Sequence, residues 1–465
     1  MNDIFGIKQE DTSNQDNHLV ENREKLKISH TPDQLQFREE KVNNIVRDTF
    51  KPALNGYEGE DVVLTGKPGT GKTAAVKYIQ KNIEGNYDTS ELETVYINCK
   101  TNNSKQDVFK AIMNSVGLNY KKGVGVGENV SKLFETYNSP TDDVLVIILD
   151  EVDALYKDRR DYINDVIYTL KRPHENSDLF EFEGVINVIC VSNDNQLFNY
   201  LEQDVKDSCF SPETYEFLAY NKDEITQILL QRQEEAFTDP IIDKPAMERI
   251  AEVVKQKFDG DIRAGIKILK KLPKHLTQPE QVLSSQRNQN RLVEKAIADV
   301  KRSQIEQVLN GKDTHFLLVM SAMIQNFRND KSKLSYIVDS YRRACEQASL
   351  ERHGQDHNVS TEDSRAKSRS FVRRKLEYLV DEQILTKERR YDKPRNPYFY
   401  EPEVDLDVFE ELVNQRLHRN GVKERFDRNK ERGVDKSTTQ LSELSSDDQQ
   451  ALENLQSMTS EETSE

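Results

Sequence analysis

Short unbroken apolar runs, separated by amphipathic segments, recur along the first half of the chain. Val62–Thr65 forms the first run, and a helical pattern begins at Thr73. Six consecutive apolar residues, Val144–Leu149, form another run, and the segment GVINVICVSND from Gly184 forms a third. Between them, ETVYINCKT predicts a further strand and SKQDVFKAIMNSVGL predicts a helix. Runs of this kind are typical of strands buried on both faces of a parallel sheet, so the pattern predicts an α/β fold.

The turn after the first strand, within TGKPGTGKT, has the composition of a phosphate-binding loop. Gly66, Gly69 and Gly71 allow backbone angles that place successive N–H groups around one concavity, where the helix N-terminus adds positive charge. Lys72 would then reach the β- and γ-phosphates of a nucleotide, and the Thr73 hydroxyl would bind Mg²⁺. A glycine-rich turn that fits this pattern by chance is the alternative. The flanking strand and helix favour the phosphate interpretation.

Two carboxylates follow the strand that ends at Leu149, at the edge where open α/β sheets bind ligands. We expect Asp150 to hold Mg²⁺ through water and Glu151 to orient and activate the water that attacks the γ-phosphate. Acidic residues after a strand also serve as helix caps, but the phosphate loop makes that interpretation the weaker one. The third strand ends in Ser192, Asn193 and Asp194. If it lies beside Asp150, the Asn193 amide can hydrogen-bond the attacking water or the γ-phosphate, although an Asn-Asp pair is also typical of turns.

The segment KKGVGVGEN contains three alternating glycines. It lacks the preceding strand and the following helix that a dinucleotide-binding site requires. We therefore interpret it as a flexible loop.

Beyond residue 300 the pattern becomes helical and then hairpin-like. THFLLVMSAMIQNF and SKLSYIVDSYRRACEQA have helical apolar spacing, and TEDSRAKSRSFVRRKLEYLVDEQIL predicts a third helix. TKERRYDKPRNPYFY then predicts two short strands joined by a basic loop. This order is that of a winged-helix DNA-binding domain, whose third helix enters the major groove. The basic residues expected to contact DNA are Arg365, Lys367, Arg369, Arg373, Arg389 and Arg390.

The charge distribution favours this DNA interpretation over a merely solvated basic face. The formal net charge of −16 argues by itself against a polyanionic partner. Between Ser364 and Arg395, however, eleven Lys and Arg residues oppose five Asp and Glu residues. From Ser437 to Glu465 there are seven carboxylates and no Lys or Arg, which predicts a disordered acidic tail.

Length and composition limit the remaining possibilities. A chain of 465 residues is long enough for two or three domains, and its low hydrophobic content of 35% suggests flexible segments besides the folded ones. No apolar run approaches the ~18 residues of a membrane span, and the N-terminal segment lacks the apolar core of a signal peptide. We expect a cytoplasmic protein with no membrane partner. Four scattered cysteines without a CxxC pair predict buried, reduced thiols: Cys99, Cys190, Cys209 and Cys345.

Several of these motifs together resemble one family. TGKPGTGKT, VYINC, IILDEVDAL, VICVSND and GDIRAGIKILKK, in this order and spacing, resemble the AAA+ ATPases of the archaeal replication-initiator family. That family is related to the eukaryotic origin recognition complex and its cell-division-cycle helicase-loading partner. The resemblance extends from about Thr31 to about Pro402.

The resemblance implies a fold and a domain order. The fold is an AAA+ P-loop parallel sheet with a helical lid, followed by a winged-helix domain. We expect a flexible N-terminal segment at 1–30, an AAA+ nucleotide-binding base domain at 31–211 and a helical lid at 212–300. A winged-helix DNA-binding domain follows at 301–410, and a largely disordered tail, acidic after residue 437, occupies 411–465.

The resemblance also implies roles for individual residues. Asn193 is the first sensor, and Arg263 of GDIR is the second sensor, reaching the γ-phosphate from the lid. TPDQLQFREEKVNNI shapes the adenine pocket. The expected nucleotide contacts are Leu35, Phe37, Arg38, Lys67, Pro68, Gly69, Thr70, Gly71, Lys72, Thr73, Ala74, Tyr220, Arg232 and Arg263.

The implied function is an ATP-switched initiator. It would bind double-stranded origin DNA together with further copies of itself, help recruit the replicative helicase and associate with the nucleoid. ATP and ADP with Mg²⁺ are the expected cofactors, and slow hydrolysis of ATP to ADP and phosphate would act as a switch. The alternatives are an AAA+ or signal-transduction ATPase acting on protein partners, and a family copy that binds DNA without initiating replication.

One segment departs from the family pattern. LEQDVKDSCF offers Asp204 where relatives present a basic residue, which is a candidate arginine finger. An acid at that position would repel phosphate, and Lys206 is the nearby cation that could replace the finger. The acid at this position argues against hydrolysis activated by a neighbouring subunit.

Overall fold

The structure is a computed structural model that describes residues 19–87, 92–138, 144–156, 162–173, 182–276, 285–352, 366–382, 384–389 and 398–419. The chain divides into two compact units, Met1–Val300 and Lys301–Glu465. We describe each unit by itself.

The first unit contains a parallel sheet of five strands in the order β2-β3-β4-β1-β5, which confirms the predicted α/β class. The strands are β1 Val62–Thr65, β2 Leu92–Asn98, β3 Val144–Asp150, β4 Val185–Val191 and β5 Glu213–Glu216. The register places Asn98 and Val191 on either side of Asp150. The polar residues that follow β4 therefore emerge beside the carboxyl end of β3.

Strand β3 is buried on both faces of the sheet, and it is apolar at every position before Asp150. Side chains alternate between the two faces of a strand. Leu145, Ile147 and Leu149 accordingly pack in one core, whereas Val146 and Ile148 pack in the other. The helices of this part are α1 Glu39–Ile45, α2 Lys51–Ala53, α3 Lys72–Asn86, α4 Lys105–Ser115, α5 Val126–Thr136, α6 Tyr162–Lys171, α7 Leu197–Tyr200 and α8 Gln203–Ser208. A π-helix at Val46–Phe50 joins α1 to α2, and a 3₁₀ helix at Val152–Leu155 follows β3.

The interpretation of KKGVGVGEN as a loop is wrong at its C-terminal end. Helix α5 begins at Val126, inside this segment, and its N-cap is Gly125. Glycine disfavours helix, but Val130, Leu133 and Phe134 of α5 are fully buried in the core. Burial of these side chains outweighs the local preference. The segment still follows no strand, so a dinucleotide site is not indicated.

A helical bundle completes the first unit. A 3₁₀ helix at Arg23–Leu26 packs with α9 Lys222–Ala236, α10 Lys244–Lys257 and α11 Ile262–Lys271, followed by a 3₁₀ helix at Pro273–His275. Each of α9, α10 and α11 begins after a side-chain cap, supplied by Asn221, Asp243 and Asp261. Such caps satisfy the free N–H groups of a first turn. This bundle corresponds in position to the expected lid. The long helix α12, Gln286–Leu309, contains the division between the units.

The second unit has the element order of a winged helix. Helices α13 Thr314–Phe327, α14 Leu334–Arg352 and α15 Arg369–Asp381 precede an antiparallel hairpin of β6 Leu385–Arg389 and β7 Tyr398–Pro402. A bridge between Lys333 and Phe399 adds the residue before α14 to the hairpin. Helix α16, Leu406–Arg419, crosses the boundary that we place at residue 410, because Phe409, Leu412, Val413 and Leu417 are buried.

Two further features concern both units. No helix in the parts of the chain listed above as described is long and apolar enough to cross a bilayer. The four cysteines are free thiols, of which Cys209 is partly exposed and the other three are buried.

Candidate functional site

The turn between β1 and α3 forms a tight loop that only glycine can build. Gly66 and Gly69 have φ angles of 138° and 75°. A Cβ atom at Gly66 would lie 2.3 Å from the carbonyl oxygen of Phe217, and one at Gly69 would lie 1.8 Å from Asp261 Oδ1. Both the backbone conformation and the lack of space therefore require glycine. The loop ends at the N-terminus of α3, where free N–H groups favour an anion.

Lys72 is buried at the start of α3. Its Nζ donates hydrogen bonds to the carbonyl oxygens of Gly66 at 2.6 Å and Lys67 at 2.9 Å. Burial lowers the pKa of Lys72 to about 8, although Asp153 and Asp150 favour its charged form. The side chain is thus held inside the loop. Its buried ammonium group is stabilised when an anion binds nearby.

Thr73 and Asp150 meet at the carboxyl end of the sheet. Thr73 Oγ1 donates to Asp150 Oδ2 at 3.0 Å, Tyr96 OH donates to the same oxygen at 2.5 Å, and the Glu151 N–H donates to Oδ1 at 2.9 Å. Burial is the main cause that raises the pKa of Tyr96 well above its usual value, and the hydrogen bond to the Asp150 carboxylate is the second. The phenol therefore remains a donor.

These oxygen atoms fit Mg²⁺, which prefers hard oxygen ligands and keeps several waters and phosphate oxygens in its shell. Thr73 and Asp150 supply a hydroxyl and a carboxylate close together. Among the residues that the structure describes, no group of three or more His, Cys, Asp or Glu side chains could hold a metal. The donor set suits a cation shared with a nucleotide rather than one caged by protein.

Glu151 follows Asp150 with a left-handed backbone, at φ 55°. This conformation is uncommon for a residue other than glycine, and such strained residues cluster at functional sites. Its carboxylate lies 4.0 Å from Lys100 Nζ. The negative charge of Glu151 also helps to raise the pKa of Arg263. The position agrees with the role predicted for Glu151, which stays a prediction.

Asn193 is paired with a carboxylate that the sequence analysis overlooked. Asp153 accepts hydrogen bonds from the Ser192 hydroxyl, from the Asn193 N–H at 3.0 Å and from Asn193 Nδ2 at 3.3 Å. Asp153 lies in the 3₁₀ helix after β3 and is buried. Asn193 is therefore oriented by Asp153, and an amide nitrogen has a second hydrogen for another acceptor. The signal was the third acid of LDEVDAL, whose partner lies far away in the sequence.

Arg263 lies at the start of α11, beside the loop. Its guanidinium donates to both oxygens of Asp261, with distances between 2.6 and 3.0 Å, and Asp261 also caps α11. This pairing raises the pKa of Arg263, and its charge is close enough to lower the pKa of Lys72. A second lid carboxylate, Asp259, forms an ion pair with Lys67. The lid thus places two acids and one cation next to the loop.

Arg38 and Tyr220 lie against the C-terminal part of the loop, next to Thr70 and Gly71. Arg38 is buried, and it donates to the carbonyl oxygens of Thr70 at 3.0 Å and Leu218 at 2.8 Å. Its guanidinium lies 3.8 Å from the centroid of the Tyr220 ring. A Cβ atom at Gly71 would be 2.5 Å from the Tyr220 hydroxyl. The structure therefore brings Arg38 and Tyr220 next to the phosphate loop, and their contacts with nucleotide stay predictions.

The other predicted nucleotide contacts are dispersed around this centre. Leu35 packs against the core that contains Val146 and Ile148, on one face of the sheet. Phe37, which has a φ angle of 62°, packs against the core of the helical bundle. Arg232 is buried and donates to the carbonyl oxygen of Lys25 at 3.0 Å. Pro68 is exposed and Ala74 lies in α3. Their contacts with nucleotide stay predictions.

The second unit carries a basic surface formed by α15 and the hairpin. Arg369 occupies the first turn of α15, which has no acid, and Ser368 caps the helix. Cations at a helix N-terminus oppose the helix dipole, so their presence favours an external anion. Glu377 accepts hydrogen bonds from Arg373 at 3.3 Å and Lys387 at 2.7 Å.

The hairpin adds an aromatic centre to this surface. The cations of Arg373, Lys387 and Arg389 lie 5.6, 4.2 and 5.5 Å from the centroid of the Tyr398 ring. Lys367 is exposed just before α15. Arg365 and Arg390 lie outside the described residues.

Comparison with known proteins gives consistent relatives. A model of the AAA domain matches residues 60–189. The chain is 26% identical over 347 residues to the ORC1-type DNA replication protein of Thermococcus kodakarensis, covering 72% of this chain and 79% of that protein. It is 29% identical over 315 residues to ORC1-type DNA replication protein 1 of Methanosarcina acetivorans, covering 66% of this chain and 71% of that protein.

Two solved structures show the same fold. The Aeropyrum pernix ORC1 protein in complex with DNA superposes with a TM-score of 0.65 at 20% identity, covering 85% of this chain and 97% of that chain. The Aeropyrum pernix ORC2 protein, in ADPNP-ADP complexes, superposes with a TM-score of 0.57 at 19% identity, covering 86% of this chain and 99% of that chain.

Proposed function

We propose that this chain, a relative of the archaeal ORC1-type AAA+ replication initiators, is an ATP-binding protein that binds origin DNA and helps recruit the replicative helicase. The observation that carries the proposal is the pairing of Thr73 with Asp150 beside the phosphate loop, at the carboxyl end of a parallel AAA+ sheet. The relatives named above are DNA replication proteins. We propose that slow hydrolysis of ATP acts as a switch.

In this proposal each residue of the site has one task. Lys72 binds the β- and γ-phosphates, and Thr73 with Asp150 holds Mg²⁺, which neutralises phosphate charge when bound. Glu151 orients and activates the attacking water. Asn193, held by Asp153, and Arg263, on the lid, contact the terminal phosphate.

We attribute slow turnover to Asp204. This exposed acid lies on α8, at the position where the family resemblance implies a candidate arginine finger, and Lys206 of the same helix is the nearby cation that could replace it. An arginine finger contributes about 10³–10⁵ in turnover rate, so a site without one hydrolyses ATP slowly. The bound nucleotide then persists, which suits a switch that also assembles further copies on DNA.

The basic surface of α15 and the hairpin is the proposed DNA contact. Arg369 and Arg373 lie on the helix expected in the major groove, and Arg389 lies on the hairpin. Arginine forks bind guanine edges and phosphates. The Aeropyrum pernix ORC1 protein with the same fold is described in complex with DNA, which supports this assignment.

The nucleotide assignment is tested by calorimetry on two variants and a control. Lys72→Ala should abolish ATP and ADP binding, since the loop loses its buried cation. Glu151→Gln should keep binding but stop turnover. Lys81→Ala removes an exposed lysine of the same helix, whose ammonium pairs with Asp33 at 2.8 Å, and should leave both properties unchanged. Tight nucleotide binding by the Lys72→Ala protein contradicts the assignment.

The DNA assignment is tested by binding labelled duplex DNA across a salt series. The logarithm of affinity should fall with the logarithm of salt concentration by about 0.9 for each phosphate neutralised. Arg369→Glu should weaken binding and reduce this slope, whereas Arg249→Glu, on the exposed face of lid helix α10, should not. If both variants bind DNA as the wild type does, the protein-partner ATPase becomes the better proposal.

A further inference from the structure

The Asp150 carboxylate is held by donors from three different elements. Thr73 belongs to α3, Glu151 follows β3, and Tyr96 belongs to β2. The first two are ordinary parts of the site described above. Tyr96 has no task in the proposed reaction, and its hydroxyl donates to the same Oδ2 atom that Thr73 reaches.

The fold explains why the phenol reaches this carboxylate. Tyr96 pairs with Ile148 in the β2–β3 register, two positions before Asn98 pairs with Asp150. Side chains two positions apart share one face of a sheet, so the ring lies on the same face as Asp150 and extends toward the strand ends.

A lysine of helix α3 contacts the face of the Tyr96 ring. Lys77 stands four residues, about one helical turn, after Thr73, and its Nζ lies 4.5 Å from the centroid of the Tyr96 ring. The ring also packs against the core on this face of the sheet. Contacts of the ring carbons therefore hold the ring in place without the hydroxyl group.

We propose that Tyr96 is a positioning residue for the Mg²⁺ of the nucleotide site, because its hydroxyl fixes the orientation of the Asp150 carboxylate. The inference rests on the proposed function, since it requires that MgATP binds at this loop. Groups that hydrogen-bond a metal ligand set its orientation, and their loss commonly costs about 10–100-fold in metal affinity or activity.

The orientation matters because Oδ2 has two donors. With the Tyr96 hydroxyl present, two hydroxyl donors from different elements fix Oδ2, while the Glu151 N–H donates to Oδ1. Without that hydroxyl the carboxylate keeps one side-chain donor and gains freedom to rotate. Part of the binding free energy of Mg²⁺ must then be spent on ordering it.

The test compares the ATP dissociation constant with Mg²⁺ and with a chelator, for the full chain and for Tyr96→Phe. Phenylalanine keeps the ring contacts and removes only the hydroxyl. We expect the Mg²⁺-dependent gain in ATP affinity to fall about tenfold while affinity without Mg²⁺ stays unchanged. Tyr120→Phe is the matched control, because the Tyr120 hydroxyl is buried and has no hydrogen-bond partner among the residues that the structure describes.

The outcomes separate this inference from the proposed function. A Mg²⁺-dependent gain equal to that of the wild type overturns the role of Tyr96. Equal losses with and without Mg²⁺, accompanied by a lower melting temperature, also overturn it, since they indicate a purely structural residue. If the wild-type chain binds ATP no better with Mg²⁺, or not at all, the proposed function fails together with this inference.

Discussion

The affinity for nucleotide should fall as pH rises above about 8, because Lys72 then loses its proton in the free protein. Burial lowers the pKa of this side chain from 10.5 to about 8. Bound phosphates supply negative charge within reach of the ammonium group and raise its pKa in the complex. Binding above pH 8 therefore takes up a proton, and its free energy becomes less favourable with each step in pH.

The size of the effect follows from the fraction of charged lysine. At pH 7 nearly all free protein carries the charge, whereas at pH 9 only about one molecule in eleven does, for a pKa of about 8. Affinity should accordingly fall by up to about tenfold between these values, or about 1.4 kcal/mol. The phosphate groups, with a second pKa of about 6, are already ionised over this range.

The free energy of unfolding should change with pH in the opposite direction to the affinity for nucleotide. The folded pKa lies below the value of 10.5 expected for the unfolded chain, so the unfolded state binds more protons between about pH 8 and 10.5. The contribution of Lys72 to the free energy of unfolding therefore increases with pH across this window. It is isolated as the difference between the wild type and Lys72→Met, measured by urea denaturation without nucleotide.

Calorimetry between pH 7 and 9.5, in buffers of different ionisation enthalpy, measures both affinity and proton uptake. The wild type should take up close to one proton per nucleotide near pH 9. Lys72→Arg keeps its charge throughout this range and should show no such uptake. A flat affinity profile with no proton uptake by the wild type would refute the assignment of Lys72 as a buried, phosphate-facing cation.

Three further predictions concern ion pairs and turnover. Lys171→Met should lower the free energy of unfolding in urea by about 3–5 kcal/mol, because it leaves the buried Asp61, 3.1 Å away, without a cation; a loss below about 1 kcal/mol would contradict this. Asp259→Asn should change the free energy of unfolding by less than about 1 kcal/mol, since Asp259 and Lys67 are both largely exposed; a larger loss would show that this pair holds the lid. Specific ATPase activity should not rise with protein concentration, because an acid, Asp204, occupies the position of the family's candidate finger; a steep rise that is lost on changing Lys206 would show that Lys206 serves as the finger.

The strands of the sheet could be predicted where burial on both faces leaves an apolar run. β3 and β4 are such strands, and their polar ends predicted the site. β5 could not be found in this way, because Glu213–Glu216 is a largely exposed strand at the edge of the described sheet, where it pairs with β1. Its sequence carries no apolar pattern, and only the pairing with β1 makes it a strand.

The same distinction applies to the site. The proximity of Thr73 to Asp150 could be predicted because Thr73 lies in the first turn of the helix that follows β1 and Asp150 is the last residue of β3, so both lie at the carboxyl edge of one parallel sheet. Asp153 and Tyr96 were missed because their partners are distant in sequence, and a lone acid or tyrosine carries no local signal. Such contacts depend on strand order and register, which a single sequence does not reveal.

In this chain of net charge −16, two cations beside the phosphate loop are already paired with acids, and this pairing sets a condition on nucleotide binding. Asp261 and Asp259, both on the lid, already neutralise Arg263 and Lys67. Incoming phosphates must share these cations with the lid acids or separate them. The terminal phosphate, present in ATP and absent in ADP, is the group that Arg263 contacts in our proposal. The two nucleotides therefore differ in their interaction with the lid, and a switch requires such a difference in free energy between states.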